Sequence, residues 1–261
     1  MPEWLSVVIL GIVEGITEFL PISSTGHLLL VQNRLPRQSD LFNIVIQSAA
    51  VLAVLPLFRQ RLRLFFTDWR GPATRDYLLK LLAAFFITGL GGLLLDKAGF
   101  KLEENPLPIA LALALGGLAF LAIEAWMKNR PSSANITWSI AVAVGVGQLL
   151  AAIFPGLSRS GATILLALIL GLSRPVATEF CFLVGIPTML AAGGLKIFKA
   201  LHHPPPDATP ENWGMVFLGC AVSALVSFLA VGWLLRYIQS HTFTLFGWYR
   251  LALGGAVLLL G

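Results

Sequence analysis

The sequence predicts an all-α protein: a polytopic membrane bundle of about six transmembrane helices plus two re-entrant helix-loop-helix hairpins, built as two inverted repeats. Three observations predict it. Of 261 residues, 57% are hydrophobic and only 12% charged, with a mean hydropathy of +0.82, whereas soluble domains carry about 25% charged residues. Six apolar stretches are long enough to cross a bilayer, for which about 20 residues suffice. Two further apolar stretches are broken by proline, glycine and polar residues, and their polar clusters match. No soluble domain fits between these runs, so 1–261 is read as one membrane domain.

Taken in order, residues 3–30 form the first interrupted stretch, read as a re-entrant hairpin, because irregular backbone at membrane depth is tolerated only where protein covers it or a wet cavity adjoins it. Stretches 41–58, 76–95 and 107–127 then cross; 136–172 is the second interrupted stretch, followed by crossings at 178–199, 213–236 and 243–260. The start lacks a basic segment, so no cleavable signal peptide is expected. The segment from Arg59 to Arg75 holds five arginines, Arg59, Arg61, Arg63, Arg70 and Arg75, against Asp68, and is read as a cytoplasmic loop, as is the one around Lys128 and Arg130. Arg236 fits the same side. The 96–106 loop is charge-balanced, and the proline-rich 202–212 stretch is read as a rigid outer loop; Lys196 and Lys199 run against this charge pattern. The net charge of +5 thus reports topology and not nucleic-acid binding. Cys181 and Cys220 lie in apolar segments and read as buried thiols.

Ser23-Ser24-Thr25-Gly26 in the first hairpin matches Ser158-Arg159-Ser160-Gly161 in the second, each shortly after a proline, Pro21 or Pro155. Three crossings follow each. A hairpin that returns to its own side plus three crossings ends on the opposite side, so the second copy (131–261) is inverted relative to the first (1–130), an arrangement best known from transporters. Glu14 lies nine residues before Ser23 and Gln148 ten before Ser158, so the register needs one extra residue.

Ionisable groups at membrane depth are costly and mark function. Meeting hairpins bring together Glu14, Glu18, Ser23, Ser24, Thr25 and His27 with Ser158, Arg159, Ser160 and Thr163. Glu14 and Glu18 share one helical face and suit a common cation or proton. Helix starts after each tip suit phosphate, Arg159 adds a planar cationic fork, and a hydroxyl or imidazole supplies a nucleophile for phosphorus.

The run "EGITEFLPISSTGH" at 14–27 with "PGLSRSGAT" at 155–163 resembles the bacterial undecaprenyl pyrophosphate phosphatase family, also called bacitracin-resistance proteins. The similarity continues through "VIQ" at 45–47, "TEFCFLVGIP" at 178–187 and "YR" at 249–250, almost the whole chain. The resemblance implies an enzyme of the bacterial inner membrane that hydrolyses undecaprenyl pyrophosphate to the monophosphate and inorganic phosphate, recycling the cell-wall lipid carrier and conferring bacitracin resistance. It implies a divalent cation, Mg²⁺ or Ca²⁺, held by Glu14 and Glu18; Ser24 and His27 as the Ser/His pair; and Arg159 with Ser158 and Thr163 as the phosphate-binding motif. Ser23, Thr25, Gly26, Ser160, Gly161 and Gln47 are read as substrate contacts, and Gln148, Glu179 and Arg250 as support. Asn43 and Ala49 depart from family habit outside the core motifs.

Ser24 is favoured as nucleophile with His27 as base, with direct attack by His27 as the alternative. Arg250 is expected to pair with Glu124 or Glu179 as a structural lock. A lipid or ion transporter on the same scaffold is the competing reading. The type-2 phosphatidate phosphatases, which "STGH" and "SRSG" also resemble, expect a histidine and an aspartate soon after the arginine, and "SRSGATILLALILGLS" has neither. The expected partners are the polyprenyl diphosphate and membrane lipids, not nucleic acid; a homodimer is left open. From the basic 59–75 segment, the site is expected to open to the outer, periplasmic side.

Overall fold

The computed structural model describes residues 1–32, 35–36, 38–99, 105–202 and 211–260. Among these the chain forms α1 (Glu3–Thr17), α2 (Ser24–Gln32), α3 (Asp40–Ala53), a 3-10 turn (Leu55–Phe58), α4 (Arg59–Thr67), α5 (Pro72–Lys97), α6 (Pro106–Met127), α7 (Trp138–Ile153), α8 (Arg159–Ile169), α9 (Arg174–His202), α10 (Trp213–Tyr237) and α11 (Thr244–Leu260). The caps follow the sequence: Ser39, Asn105 and Thr137 accept backbone N–H bonds at the starts of α3, α6 and α7, and Pro72 and Pro106 occupy first helical positions.

Among the described residues, five segments are long and apolar enough to cross a membrane: Asp40–Thr67, α5, α6, α9 and α10. The sixth predicted crossing is α11, at 17 residues the lower end of what spans. The predicted basic loop after Phe58 is partly helical instead. Arginine favours helix, and α4 is held by Arg61 Nε donating to Glu179 Oε1 on α9 at 2.7 Å. Residues 100–104 of the 96–106 loop and 203–210 of the proline-rich stretch lie outside the described residues.

The two broken segments enter from opposite ends. At one end, Arg61 meets Glu179 and Arg174 pairs with Glu124, which gathers α4, the end of α6 and the start of α9. The second hairpin leaves and returns at this end: Ser133 N donates to Gly171 O and Ser173 N to Ser133 O, both at 2.8 Å. At the other end, Asn212 before α10 reaches Glu3 at the start of α1 at 3.4 Å. α1 lies along α10 as α7 lies along α5, and α6 pairs with α11. Small residues allow the close approach, as is usual between membrane helices. A Cβ on Gly15 would sit 2.7 Å from the Ser223 carbonyl oxygen. The largest buried cluster joins Phe19, Phe58, Phe180 and Phe182, with Phe19 and Phe182 edge to face at 5.2 Å, behind the first hairpin tip.

Candidate active site

Each hairpin tip is a short turn that a serine closes. The prolines Pro21 and Pro155 interrupt the ladders, and each turn ends in a residue with positive φ, Ser23 at 71° and Ser158 at 68°. Such a backbone costs about 1–3 kcal/mol for a non-glycine residue and persists only where its surroundings hold it. Here each side chain caps the helix it starts: Ser23 Oγ accepts from Gly26 N at 3.4 Å and Ser158 Oγ from Gly161 N at 3.2 Å. The same four-residue match in sequence therefore makes the same turn twice.

The tips meet on Glu18, the C-cap of α1. Arg159, first residue of α8, donates Nη2 to Glu18 Oε1, and Ser24 Oγ donates to Glu18 Oε2 at 2.9 Å. Ser160 Oγ joins the hairpins again through the Leu20 carbonyl at 3.1 Å. One turn back, Glu14 is 3% exposed, adjoins Glu18 and Gln47, and its Oε1 has no hydrogen-bond partner among the described residues. His27 faces elsewhere. Its Nδ1 lies 2.7 Å from the Ser23 carbonyl, which can only accept, so Nδ1 carries the proton and Nε2 accepts from the Tyr249 hydroxyl at 2.6 Å. The two rings stack 10° from parallel.

A cavity of about 800 Å³ runs from the tips between α5 and α9. Glu18, Ser23, Ser24, Thr25, Gln47, Ser158 and Arg159 line its polar part; Phe86, Leu90, Leu93 and Leu195 give it apolar walls, and Asp96, Lys196 and Lys199 also border it. Gln148 stands in the wall with its amide nitrogen on Thr88 Oγ1 (3.0 Å) and Thr188 Oγ1 (3.5 Å). Both threonines give their single hydroxyl hydrogen to backbone carbonyls, so they can only accept from the amide. Gln148 thereby ties α7 to α5 and α9.

The donor set fits a hard divalent cation in kind. The orphaned Glu14 oxygen, the Glu18 carboxylate and the Gln47 amide are all oxygen ligands. Among the described residues no three His, Cys, Asp or Glu side chains converge, so substrate oxygens and water would complete the shell, as is common for Mg²⁺.

The family model of "Bacitracin resistance protein BacA" matches residues 7–256. The chain belongs to this family. It is 49% identical over 260 residues to an undecaprenyl-diphosphatase of Rhizobium etli, covering 99% of this chain and 97% of that protein. It is 46% identical over 260 residues to an undecaprenyl-diphosphatase of Xanthomonas axonopodis pv. citri, with the same coverage of both. An undecaprenyl-diphosphatase of Xylella fastidiosa is 47% identical over 255 residues, 97% of each chain.

In this member of the family, most of the residues expected from sequence fall into two groups. Glu18, Ser23, Ser24, Thr25, Gln47, Gln148, Ser158 and Arg159 border the cavity. Ser160, Gly161, Thr163 and Gly26 build the tips instead: Thr163 Oγ1 donates to the Arg159 carbonyl at 2.9 Å, and Gly26 faces Leu113. The structure does not join Ser24 to His27, since their polar atoms have other partners.

Arg250 does not pair with Glu124 or Glu179. Glu124 is taken by Arg174 and by the Phe243 N–H at 2.9 Å, and Glu179, half-buried near α4, by Arg61. Arg250, with no exposed surface, instead donates to five carbonyls. These are Pro21 in the first tip (3.3 Å), Gly156 and Leu157 in the second (3.2 and 2.9 Å), and Ala112 and Leu113 of α6 (3.2 and 3.4 Å). It is the brace that holds both tips. Tyr249 was not among the expected site residues; its only signal was its place in the "YR" pair at 249–250.

Proposed function

We infer that this chain is an integral-membrane phosphatase that hydrolyses undecaprenyl pyrophosphate to undecaprenyl phosphate and inorganic phosphate, the activity named for its relatives, and so supports bacitracin resistance. The observation that carries the reading is the convergence of Arg159 and Ser24, from opposite hairpins, on Glu18 beside a cavity with apolar walls. A prenyl tail suits those apolar walls, which α5 and α9 supply, while the diphosphate suits the polar tips.

In this mechanism the Arg159 guanidinium binds oxygens of the terminal phosphoryl group by its two-pronged edge, exchanging Glu18 for phosphate. Ser24 Oγ attacks the terminal phosphorus, the bond to the bridging oxygen breaks, and undecaprenyl phosphate leaves. Glu18 takes the Ser24 proton, a role supported by their 2.9 Å hydrogen bond. Water then attacks phosphoserine; as the Oγ–P bond breaks, Glu18 returns to Ser24 Oγ the proton it took, one water proton stays on the departing inorganic phosphate and the other is released to solvent. His27, held by Ser23 and Tyr249, orients the start of α2 and with it Ser24. Glu14, Glu18 and Gln47 would hold Mg²⁺ or Ca²⁺, which when bound screens phosphate charge.

The membrane is the bacterial inner membrane and the cavity opens outward. The arginine-rich end around α4 is then cytoplasmic, a choice supported by charge bias. The chain is two inverted repeats, 1–130 and 131–261, supported by the matched turns at Ser23 and Ser158 and by the paired packing of α1 on α10 and α7 on α5.

The test is phosphate release from a polyprenyl diphosphate by purified protein in detergent with Mg²⁺, with and without chelator. Release is expected without any second compartment. No release from folded protein would favour the transporter reading.

A further inference from the structure

Two lysines stand where the charge pattern has no use for them. Arg59, Arg61, Arg63 and Arg174 belong to the end gathered around α4 and the start of α9. Lys196 and Lys199 lie toward the other end of α9, yet both border the cavity that reaches Arg159 and Ser24. They are three residues apart and so share a face. Neither forms an ion pair among the described residues, where the salt bridges all lie elsewhere. Thr188, which receives the Gln148 amide, lies eight and eleven residues before them, so the ammonium groups stem from backbone about 12 and 16 Å farther along the helix. Between lie apolar walls, Leu195 on α9 and Leu93 on α5. Lys97 offers a contrast: it is exposed at the same end of α5, beside Asp96, but is not part of the cavity lining.

We propose that Lys196 and Lys199 form a second phosphate-binding station at the mouth of the cavity, which receives the anionic headgroup on its way to Arg159 and the inorganic phosphate on its way out. The station rests on the phosphatase reading above. Two mobile ammonium groups attract a phosphate dianion without the fixed geometry of a guanidinium fork, which suits a group that must be passed on. Charges at a cavity rim act mainly on association and are screened by salt. No bond is made or broken there.

The experiment compares wild type, Lys196→Gln/Lys199→Gln and Lys97→Gln, all full length in detergent, with a short-chain prenyl diphosphate as substrate. The double variant is expected to lose about tenfold in kcat/KM at low salt with kcat within twofold, and the gap is expected to close in 0.5 M salt. Lys97→Gln is expected to match wild type. Binding is read separately, by ³¹P line broadening of inorganic phosphate and by inhibition with micelles carrying phosphatidylglycerol. Weaker binding of inorganic phosphate to the double variant marks free phosphate as a ligand; relief only of the phosphatidylglycerol effect marks a lipid headgroup. Unchanged kcat/KM, equal loss in Lys97→Gln, or no change in either binding arm overturns the station. If phosphate binding weakens in the double variant but wild type releases none from the diphosphate, the phosphatase reading fails and takes the passage role with it; if release proceeds while the lysines alter neither binding nor kcat/KM, the station alone fails.

Discussion

Replacing Arg250 with methionine removes the brace between the hairpins while keeping much of its volume. The carbonyls of Ala112 and Leu113 sit inside α6 and have the helix ladder. Those of Pro21, Gly156 and Leu157 accept no other backbone hydrogen bond among the described residues. Each loses a bond to a charged donor, worth about 1.5–3 kcal/mol, so the three together set a loss of about 4–9 kcal/mol. If a third of that appears as misplacement of Ser24 relative to Arg159, about 1.5–3 kcal/mol, turnover falls roughly 10- to 100-fold. Arg250→Lys keeps the charge but cannot fork to both tips, so an intermediate loss is expected. Gly116→Ala offers an independent approach: its Cβ would overlap Arg250 Nη2, displacing the guanidinium without removing it. Phosphate release in detergent and thermal unfolding are the two assays. Arg250→Met with turnover within twofold of wild type and an unchanged melting temperature would refute the brace.

Arg159→Lys retains a cation but not the paired edge, so turnover should fall by about 100-fold or more; wild-type turnover would remove Arg159 from the phosphate site. Glu14→Gln and Glu18→Gln should each raise the Mg²⁺ concentration for half-maximal rate or abolish activity, and a full rate with an unchanged metal titration would make both acids structural. Tyr249→Phe keeps the stack on His27 but drops the 2.6 Å hydrogen bond; a loss of about 3- to 10-fold in kcat is expected, and a deeper loss would put the hydroxyl in the chemistry itself. For topology, single cysteines at Asp40 and Ala73, both exposed, go into a chain with Cys181 and Cys220 replaced. A membrane-impermeant thiol reagent on intact cells should label the first and not the second; the reverse pattern would turn the active site to the cytoplasm.

The sequence by itself determined the spans, the broken segments and the polar cluster. The reason is that these properties are local: an apolar run long enough to cross is visible as a run, and proline with a polar cluster interrupts it in place. The match of Ser23–Gly26 to Ser158–Gly161 was legible in the same way, because a cap and the glycine it bonds are three residues apart. Helix in the arginine-rich segment after Phe58 was missed, since its anchor, Glu179, is 118 residues from Arg61. The partners of the charges were decided by the tertiary structure alone. Arg250 had two candidate acids, Glu124 and Glu179; only the fold gives the first to Arg174 and the second to Arg61 and leaves Arg250 among carbonyls, with which no pairing rule would have matched it. His27 likewise has a serine three residues away in the chain, but its Nε2 meets Tyr249, 222 residues distant. Long side chains buried in a bundle bond to whatever neighbouring helices bring within about 3 Å, and that proximity is a property of the packed helices and not of any stretch of chain.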